Sequence, residues 1–248
     1  MDLKLGRLLE TILTRTIIES RQNKQFKTWM KLKTKKYRDI LGLFLAFDDD
    51  IIEKAADYGV IEERVTVDKN KNGILISKEL MKELQTDTTF DSMAVCKKFD
   101  MKVKSDRILM VDDVQDPNNL GALLRSAAAF NFSEVFISNK SADLYHEKTI
   151  RSSKGAIFDV QVKRCDLLEV ILRKKEEGYV VLCAEAHGEN QAENKYEKLV
   201  LIMGNEGQGV SSEVKEMADY HCHIETQNVE SLNVAVAGGI LMYMWRCK

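Results

Sequence analysis

"KLVLIMGNEGQGVSSEVKEMA", residues 198–218, passes from an unbroken apolar run into Gly204, Gly207 and Gly209 around a lone acid, Glu206, and then into a capped helix. A short apolar run bounded by turn residues fits a strand buried on both faces. The same alternation fills the second half of the chain. "RILMVDDV", "EVFIS", "FDVQV", "YVVLCAEA" and "YHCHIE" are further strand candidates. "NNLGALLRSAAAF" after Pro117, "HEKTIRSS", "DLLEVILRKKEEG" and "SLNVAVAGGILMYMW" are helix candidates between or after them. All-apolar strands separated by helices predict an α/β fold with a mainly parallel sheet covered on both faces. Ligands of such sheets sit beyond the carboxyl ends of the strands, which is where Gly204–Gly209 falls.

The first half carries a smaller set of alternating elements. Residues 22–32 read as a helix, "ILGLFLAF" (40–47) as one buried strand, and "DDDIIEKAADYG" as a helix with acids at its start and Gly59 at its end. "ERVTV", "GILIS" and "MAVCKK" are strand candidates, with "SKELMKELQ" a helix opened by Ser77. The expected division is 1–104 and 105–248. With 44% hydrophobic and 31% charged residues the chain suits a globular protein with a sizeable core. Its apolar stretches are far short of a membrane span, and "MDLKLGRLLETIL" is a poor signal peptide. Cys96, Cys165, Cys183, Cys222 and Cys247 are scattered and odd in number, so they read as reduced thiols of a cytoplasmic protein.

Charge is unevenly shared. Residues 1–104 hold 21 Lys+Arg against 17 Asp+Glu, and the remainder 16 against 22, so a net of −2 hides a basic first half. "RQNKQFKTWMKLKTKKYR" (21–38) has eight bases and no acid. Phe26, Trp29 and Leu32 fall at i, i+3 and i+6 and form a core stripe, while Arg21, Lys24, Lys27, Lys31, Lys35 and Arg38 are candidate phosphate contacts. A solvated helix face is the bland alternative, but such faces usually mix signs to gain i,i+4 pairs.

Three stretches carry candidate site chemistry. "GNEGQGVS" lacks the lysine and the spacing of phosphate-binding loops, and its carboxylate would repel a pyrophosphate. Its backbone can instead grip an uncharged heterocycle, or the loop is a plain turn with Glu206 in solvent. In "DPNNLGALLRSA" (116–127), Asn118 or Asn119 can cap the helix, and Arg125 is either a salt-bridged structural residue or a cation held at a site. In "IETQNVESLNVAVAGG" (224–239), Ser231 or Asn233 can cap an otherwise apolar helix.

Together these stretches resemble the SPOUT superfamily of methyltransferases, in its SpoU/TrmH branch of RNA ribose 2′-O-methyltransferases. An Asn followed six residues later by an Arg is matched by Asn119 and Arg125. Gly-x-Glu-Gly-x-Gly is matched from Gly204 to Gly209, and Ser-Leu-Asn-Val from Ser231 to Val234. Order and spacing agree over about 105–248. The resemblance implies a C-terminal trefoil knot, S-adenosylmethionine as cofactor and a homodimer. It implies that Met203, Gly204, Asn205, Gly207, Ile224 and Leu232 hold the cofactor, and that Arg125 of the partner copy joins Asn119, Glu206, Ser231 and Asn233 as catalytic groups. Glu225 stands where the family usually has proline, and Lys154, in "IRSSKGAIFDVQV", is a candidate phosphate contact. The N-terminal block looks like the ribosomal-protein-like α/β RNA-binding domain common in this branch.

The expected activity is S-adenosylmethionine-dependent methylation of a ribose 2′-hydroxyl in structured RNA, ribosomal RNA favoured over transfer RNA. A non-catalytic RNA-binding protein on the same scaffold and an RNA base methyltransferase are the alternatives. "HCH" (221–223) lacks a second ligand pair at zinc spacing, so no metal is expected, and His187 reads as a surface loop histidine. No membrane association is expected.

Overall fold

The computed structural model describes residues 17–86, 89–187 and 195–247. The segment read as a poor signal peptide lies outside them. The chain forms two compact units, one ending at Phe99 and one beginning at Asp100.

The first unit contains β1 (Ile17–Ile18), α1 (Lys24–Lys31), α2 (Lys35–Leu41), β2 (Leu43–Phe47), α3 (Asp49–Asp57), β3 (Ile61–Thr66), β4 (Ile74–Ile76), α4 (Lys78–Leu84) and β5 (Ser92–Lys97). Its mixed sheet has the order β1-β4-β3-β5-β2, with β5 antiparallel to both neighbours and β4 parallel to both of its own. Phe26, Trp29 and Leu32 are all buried, at 2%, 1% and 1% exposure, against Leu45, Val65, Met81 and Val95, as the i, i+3, i+6 stripe requires. The expected strand at 40–47 divides in two. Helix α2 continues to Leu41, Gly42 closes it in the left-handed region at φ 65°, and the strand starts only at Leu43. A hydrophobic run cannot by itself distinguish a helix end from a strand start.

The second unit contains β6 (Arg107–Val111), α5 (Pro117–Ala129), β7 (Glu134–Ile137), α6 (Glu147–Ser153), β8 (Gln161–Arg164), α7 (Leu167–Glu176), β9 (Val180–Ala184), β10 (Leu199–Met203), α8 (Ser212–Glu216), β11 (Tyr220–Cys222) and α9 (Val234–Met244). Its six strands are all parallel, in the order β11-β9-β10-β6-β7-β8. Residues 107–111 and 199–203 pair in register at the centre and are buried throughout. Alternate residues of β10 serve two cores. Leu199, Leu201 and Met203 face α5 and α9, while Val200 and Ile202 face α7 and α8. The strand expected over "FDVQV" starts only at Gln161, because Ala156–Phe158 form a 3₁₀ turn.

Two close approaches hold the site-bearing elements. Gly121 of α5 packs against α6 so tightly that a Cβ would stand 1.9 Å from Ser152 Oγ and 2.4 Å from the Thr149 carbonyl oxygen. Gly238 of α9 packs against α5, where a Cβ would meet Leu123 Cδ2 at 2.4 Å. The buried Arg107 guanidinium donates to the carbonyls of Trp245, Glu197 and Tyr196, tying the chain end to the start of β6.

Candidate active site

The carboxyl ends of β6 and β10 lie side by side, because Val111 is in register with Met203. The loop after β10 folds back on itself. Asn205 and Gly209 exchange backbone hydrogen bonds of 2.9 and 3.0 Å, and the Asn205 side chain accepts from the N–H groups of Gly207 and Gln208. That closure explains Gly204, where a Cβ would stand 2.2 Å from the Val210 nitrogen. Gly209 adopts φ 72°, open to glycine at little cost. The Asn205 amide donates to the Asp113 carbonyl at 2.8 Å, fastening the loop to the turn after β6. The buried Asp112 carboxylate accepts from the Ser211 backbone and hydroxyl at 2.9 and 2.6 Å, fixing the other end. Sequence reasoning did not single out Asp112. Its acidity at the end of an all-apolar strand was the available signal.

The three motif stretches meet here. Asn119 Nδ2 donates to Glu206 Oε1 at 2.9 Å, and Asn233 Nδ2 donates to Asn119 Oδ1 at 3.0 Å. Glu206 also accepts from the backbone N–H groups of Gln115 and Asp116 at 3.4 and 3.3 Å. Desolvation pushes the Glu206 pKa up, but the hydrogen bonds from Asn119 and from backbone N–H groups outweigh it and hold the carboxyl below its ordinary value. Capping of α5 falls to Asp116, whose carboxylate accepts from the Asn118 N–H at 2.8 Å, rather than to either asparagine. Asn119 is thereby released for the site. Asn233 does two things at once. Its oxygen caps α9 at the Ala235 and Val236 N–H groups while its amide nitrogen reaches Asn119.

Beside this relay lies a cavity of about 490 Å³. Met203, Gly204, Asn205, Glu206, Gly207, Ile224, Ser231 and Leu232 all line it. Ala184, Glu185 and His187 from the end of β9 complete the rim with Lys215. His187 is exposed, as a loop residue, yet faces this cavity. The loop backbone and the apolar groups of Ile224, Leu232, Val234 and Leu241 suit a flat, uncharged heterocycle with a polar tail.

Arg125 stands apart. Six residues beyond Asn119 place it about 120° away around the helix, on a different face. It is exposed, and no side-chain hydrogen bond or ion pair involves it among the described residues. The candidate phosphate contacts also divide. Arg38 is corrected: it is buried and donates to the Leu32 carbonyl at 2.8 Å, so its charge serves the end of α1 rather than a ligand. Arg21 pairs with Glu83 at 2.6 Å and Lys35 with Asp39 at 2.8 Å. Lys24, Lys27, Lys31 and Lys154 are exposed.

Cys183, Glu185 and His221 bring ligand-type atoms within 4.8 Å of one another, a grouping of distant residues that spacing along "HCH" could not reveal. Glu185 Oε1 is already engaged by Lys215 Nζ at 3.0 Å, and His221 Nδ1 lies 2.9 Å from the same oxygen. Burial pushes the Cys183 thiol up to about 12. Lys215 and Glu185 thus form an ion pair beside this thiol. Among the described residues no helix is long and apolar enough to cross a membrane, and all five cysteines are free.

Residues 106–243 match the model of the SpoU rRNA Methylase family. The chain is 34% identical over 244 residues to the 23S rRNA (guanosine(2553)-2′-O)-methyltransferase of Bacillus subtilis strain 168, covering 92% of this chain and 98% of that protein. A solved RNA 2′-O ribose methyltransferase superposes with TM-score 0.80 at 25% identity, over 92% of this chain and 97% of the other. The SpoU methyltransferase AviRb of Streptomyces viridochromogenes, solved with AdoMet, superposes with TM-score 0.79 over 90% and 97% of the two chains, and at 22% identity that likeness is one of fold.

Proposed function

The chain belongs to the SpoU rRNA methylase family, and on that footing we propose that it methylates a ribose 2′-hydroxyl of ribosomal RNA with S-adenosylmethionine as donor. The observation that carries this reading is the relay Asn233–Asn119–Glu206, which joins all three motif stretches at the mouth of one cavity. The residues present fit the donor. The loop at Gly204–Gly209 offers backbone to an adenine, Ile224 and Leu232 give apolar walls, and Met203, Asn205 and Gly207 complete the holding set. Bound there, S-adenosylmethionine supplies a methyl group on a sulfonium.

The chain's own part is to position and to stabilise. Holding the ribose hydroxyl in line with the methyl group lowers the barrier by several kcal/mol, on the order of what fixed geometry contributes elsewhere. Asn119, held on both sides, and Ser231, exposed at the cavity rim, are the groups placed to orient the ribose. A guanidinium offers a fork of N–H donors and no acceptor, so Arg125 acts by holding phosphate and stabilising charge on the hydroxyl oxygen rather than as a base.

Arg125 reaches the site from a second copy of the chain. Its exposure, its lack of a partner and its distance around α5 from Asn119 support this. So does α9, which exposes Val236, Ile240, Tyr243 and Met244 at i, i+4, i+7 and i+8 while burying its opposite face. A homodimer covering that stripe, a trefoil knot formed around 204–233, action in the cytoplasm and RNA contact by the basic N-terminal unit complete the proposal.

The test is to incubate the protein with labelled S-adenosylmethionine and total RNA, digest to nucleosides and identify the product by mass. A 2′-O-methylated nucleoside from ribosomal RNA is expected. A base-methylated nucleoside, or cofactor binding without product, overturns the reading. The shared site has its own test. Arg125→Ala and Asn119→Ala homodimers are each expected to lose at least about tenfold in rate, whereas mixed dimers regain about half the wild-type rate because one intact site forms across the interface. Mixed dimers no faster than their parents would place both residues in one subunit's site.

A further inference from the structure

The basic stretch of the first unit resolves into two different surfaces. Lys24, Lys27 and Lys31 fall at i, i+3 and i+7 of α1, within about 60° of arc, directly opposite the buried Phe26 and Trp29. All three are exposed, and among the described residues none makes an ion pair. Lys27 donates to Gln22 at 2.5 Å, a neutral partner that leaves its charge uncompensated. Where this ridge ends, Lys31 Nζ lies 5.4 Å from the centre of the Tyr37 ring, and Lys36 Nζ lies 6.0 Å from it. Tyr37 is half-buried, and Ile40 and Leu41 stand exposed in the next turn, at 64% and 42%.

The aromatics of the stretch are therefore not equivalent. Phe26 is in the core, and Trp29 is buried with its indole N–H committed to Glu63 Oε2 at 2.7 Å. Of the three, only Tyr37 is not buried. A ring flanked by ammonium groups is matched to one kind of occupant, a base whose own phosphates draw those ammonium groups away. A duplex satisfies the lysine ridge through its phosphates but offers the ring nothing, because its base faces are stacked inside. An unpaired nucleotide satisfies both.

We propose that the ridge Lys24–Lys27–Lys31 tracks the backbone of an RNA strand and that Tyr37 receives an unpaired base at its end, so the first unit selects RNA that carries a single-stranded segment. This rests on the RNA-contact reading given above for the same unit and sharpens it to a class of RNA.

The experiment measures binding of the full chain, by fluorescence anisotropy across a salt series, to a labelled RNA duplex and to a hairpin with the same stem and an unpaired loop. Wild type is expected to prefer the hairpin. Tyr37→Ala and the bulk-preserving Tyr37→Leu are expected to lose about fivefold or more on the hairpin and little on the duplex, with the salt slope unchanged, while Tyr37→Phe keeps the preference. The triple variant Lys24→Gln, Lys27→Gln, Lys31→Gln is expected to weaken both RNAs and to reduce the salt slope by about 2. An unchanged hairpin-to-duplex ratio in both Tyr37→Ala and Tyr37→Leu overturns the proposal while leaving RNA contact standing. Unchanged affinity and slope in the triple variant overturns the RNA-contact reading itself.

Discussion

Asn119 is the residue on which the site turns. It accepts from Asn233 and donates to Glu206, so removing either neighbour loosens the same amide. Groups that act as one unit are not additive. Asn119→Ala and Asn233→Ala are each expected to lower kcat/KM by about tenfold or more, and the double variant by little more than the worse single, measured under single-turnover conditions. Full additivity would mean the two act independently. Glu206 sets the acid limit of the relay. Its carboxyl is held below the ordinary carboxylate value, so the charged form and its hydrogen bonds persist above that value and are lost only as pH falls through the lower, folded one. Glu206 is therefore expected to add no pH dependence to cofactor affinity between about pH 8 and pH 5, so calorimetric profiles of wild type and Glu206→Gln run parallel there. A drop inside that window that disappears in Glu206→Gln would contradict this ordering.

At the scale of the element, α5 is the most heavily used part of the molecule. Pro117 occupies its first turn and Asp116 caps it, which suits the fixed φ of proline and the unpaired N–H groups of a helix start. Asp116→Ala is expected to cost about 1 kcal/mol of stability, read by urea unfolding. It is also expected to lower activity, because losing the cap loosens the helix start that holds Asn119 and presents its backbone N–H groups to Glu206. Gly121→Ala on the same helix forces a methyl group against the backbone of α6 and is expected to cost about 1–3 kcal/mol. Much of this helix was legible beforehand, since Pro117, the small residues and the start near 117 all mark it. Which polar residue caps it was not. Asp116, Asn118 and Asn119 are all good caps, and the choice was made by Glu206, which lies 87 residues beyond Asn119 and takes its amide.

For the whole molecule, the two units carry separate hydrophobic cores, divided between Phe99 and Asp100. A fragment starting at Asp100 is expected to fold, dimerise and bind S-adenosylmethionine, with RNA affinity reduced at least tenfold. A fragment starting at Ser105 is expected to be less stable, because it loses the Val103 N–H that donates to the buried Gln161 side chain at 2.7 Å. Thermal unfolding of the two fragments checks the difference. RNA affinity equal to that of the full chain would remove the first unit from substrate selection.

Periodicity and short-range spacing determined most of the elements, the parallel sheet of the second unit and the strand end that carries the cavity, because burial on two faces and turn chemistry are written into neighbouring residues. The motif stretches were visible for the same reason, each being contiguous. Their joining into one relay, the burial of Arg38 and the meeting of Cys183, Glu185 and His221 belong to the tertiary structure. A hydrogen bond between residues some ninety positions apart depends on how strands are ordered in the sheet, and that order follows from packing of the whole unit, to which no local pattern has access.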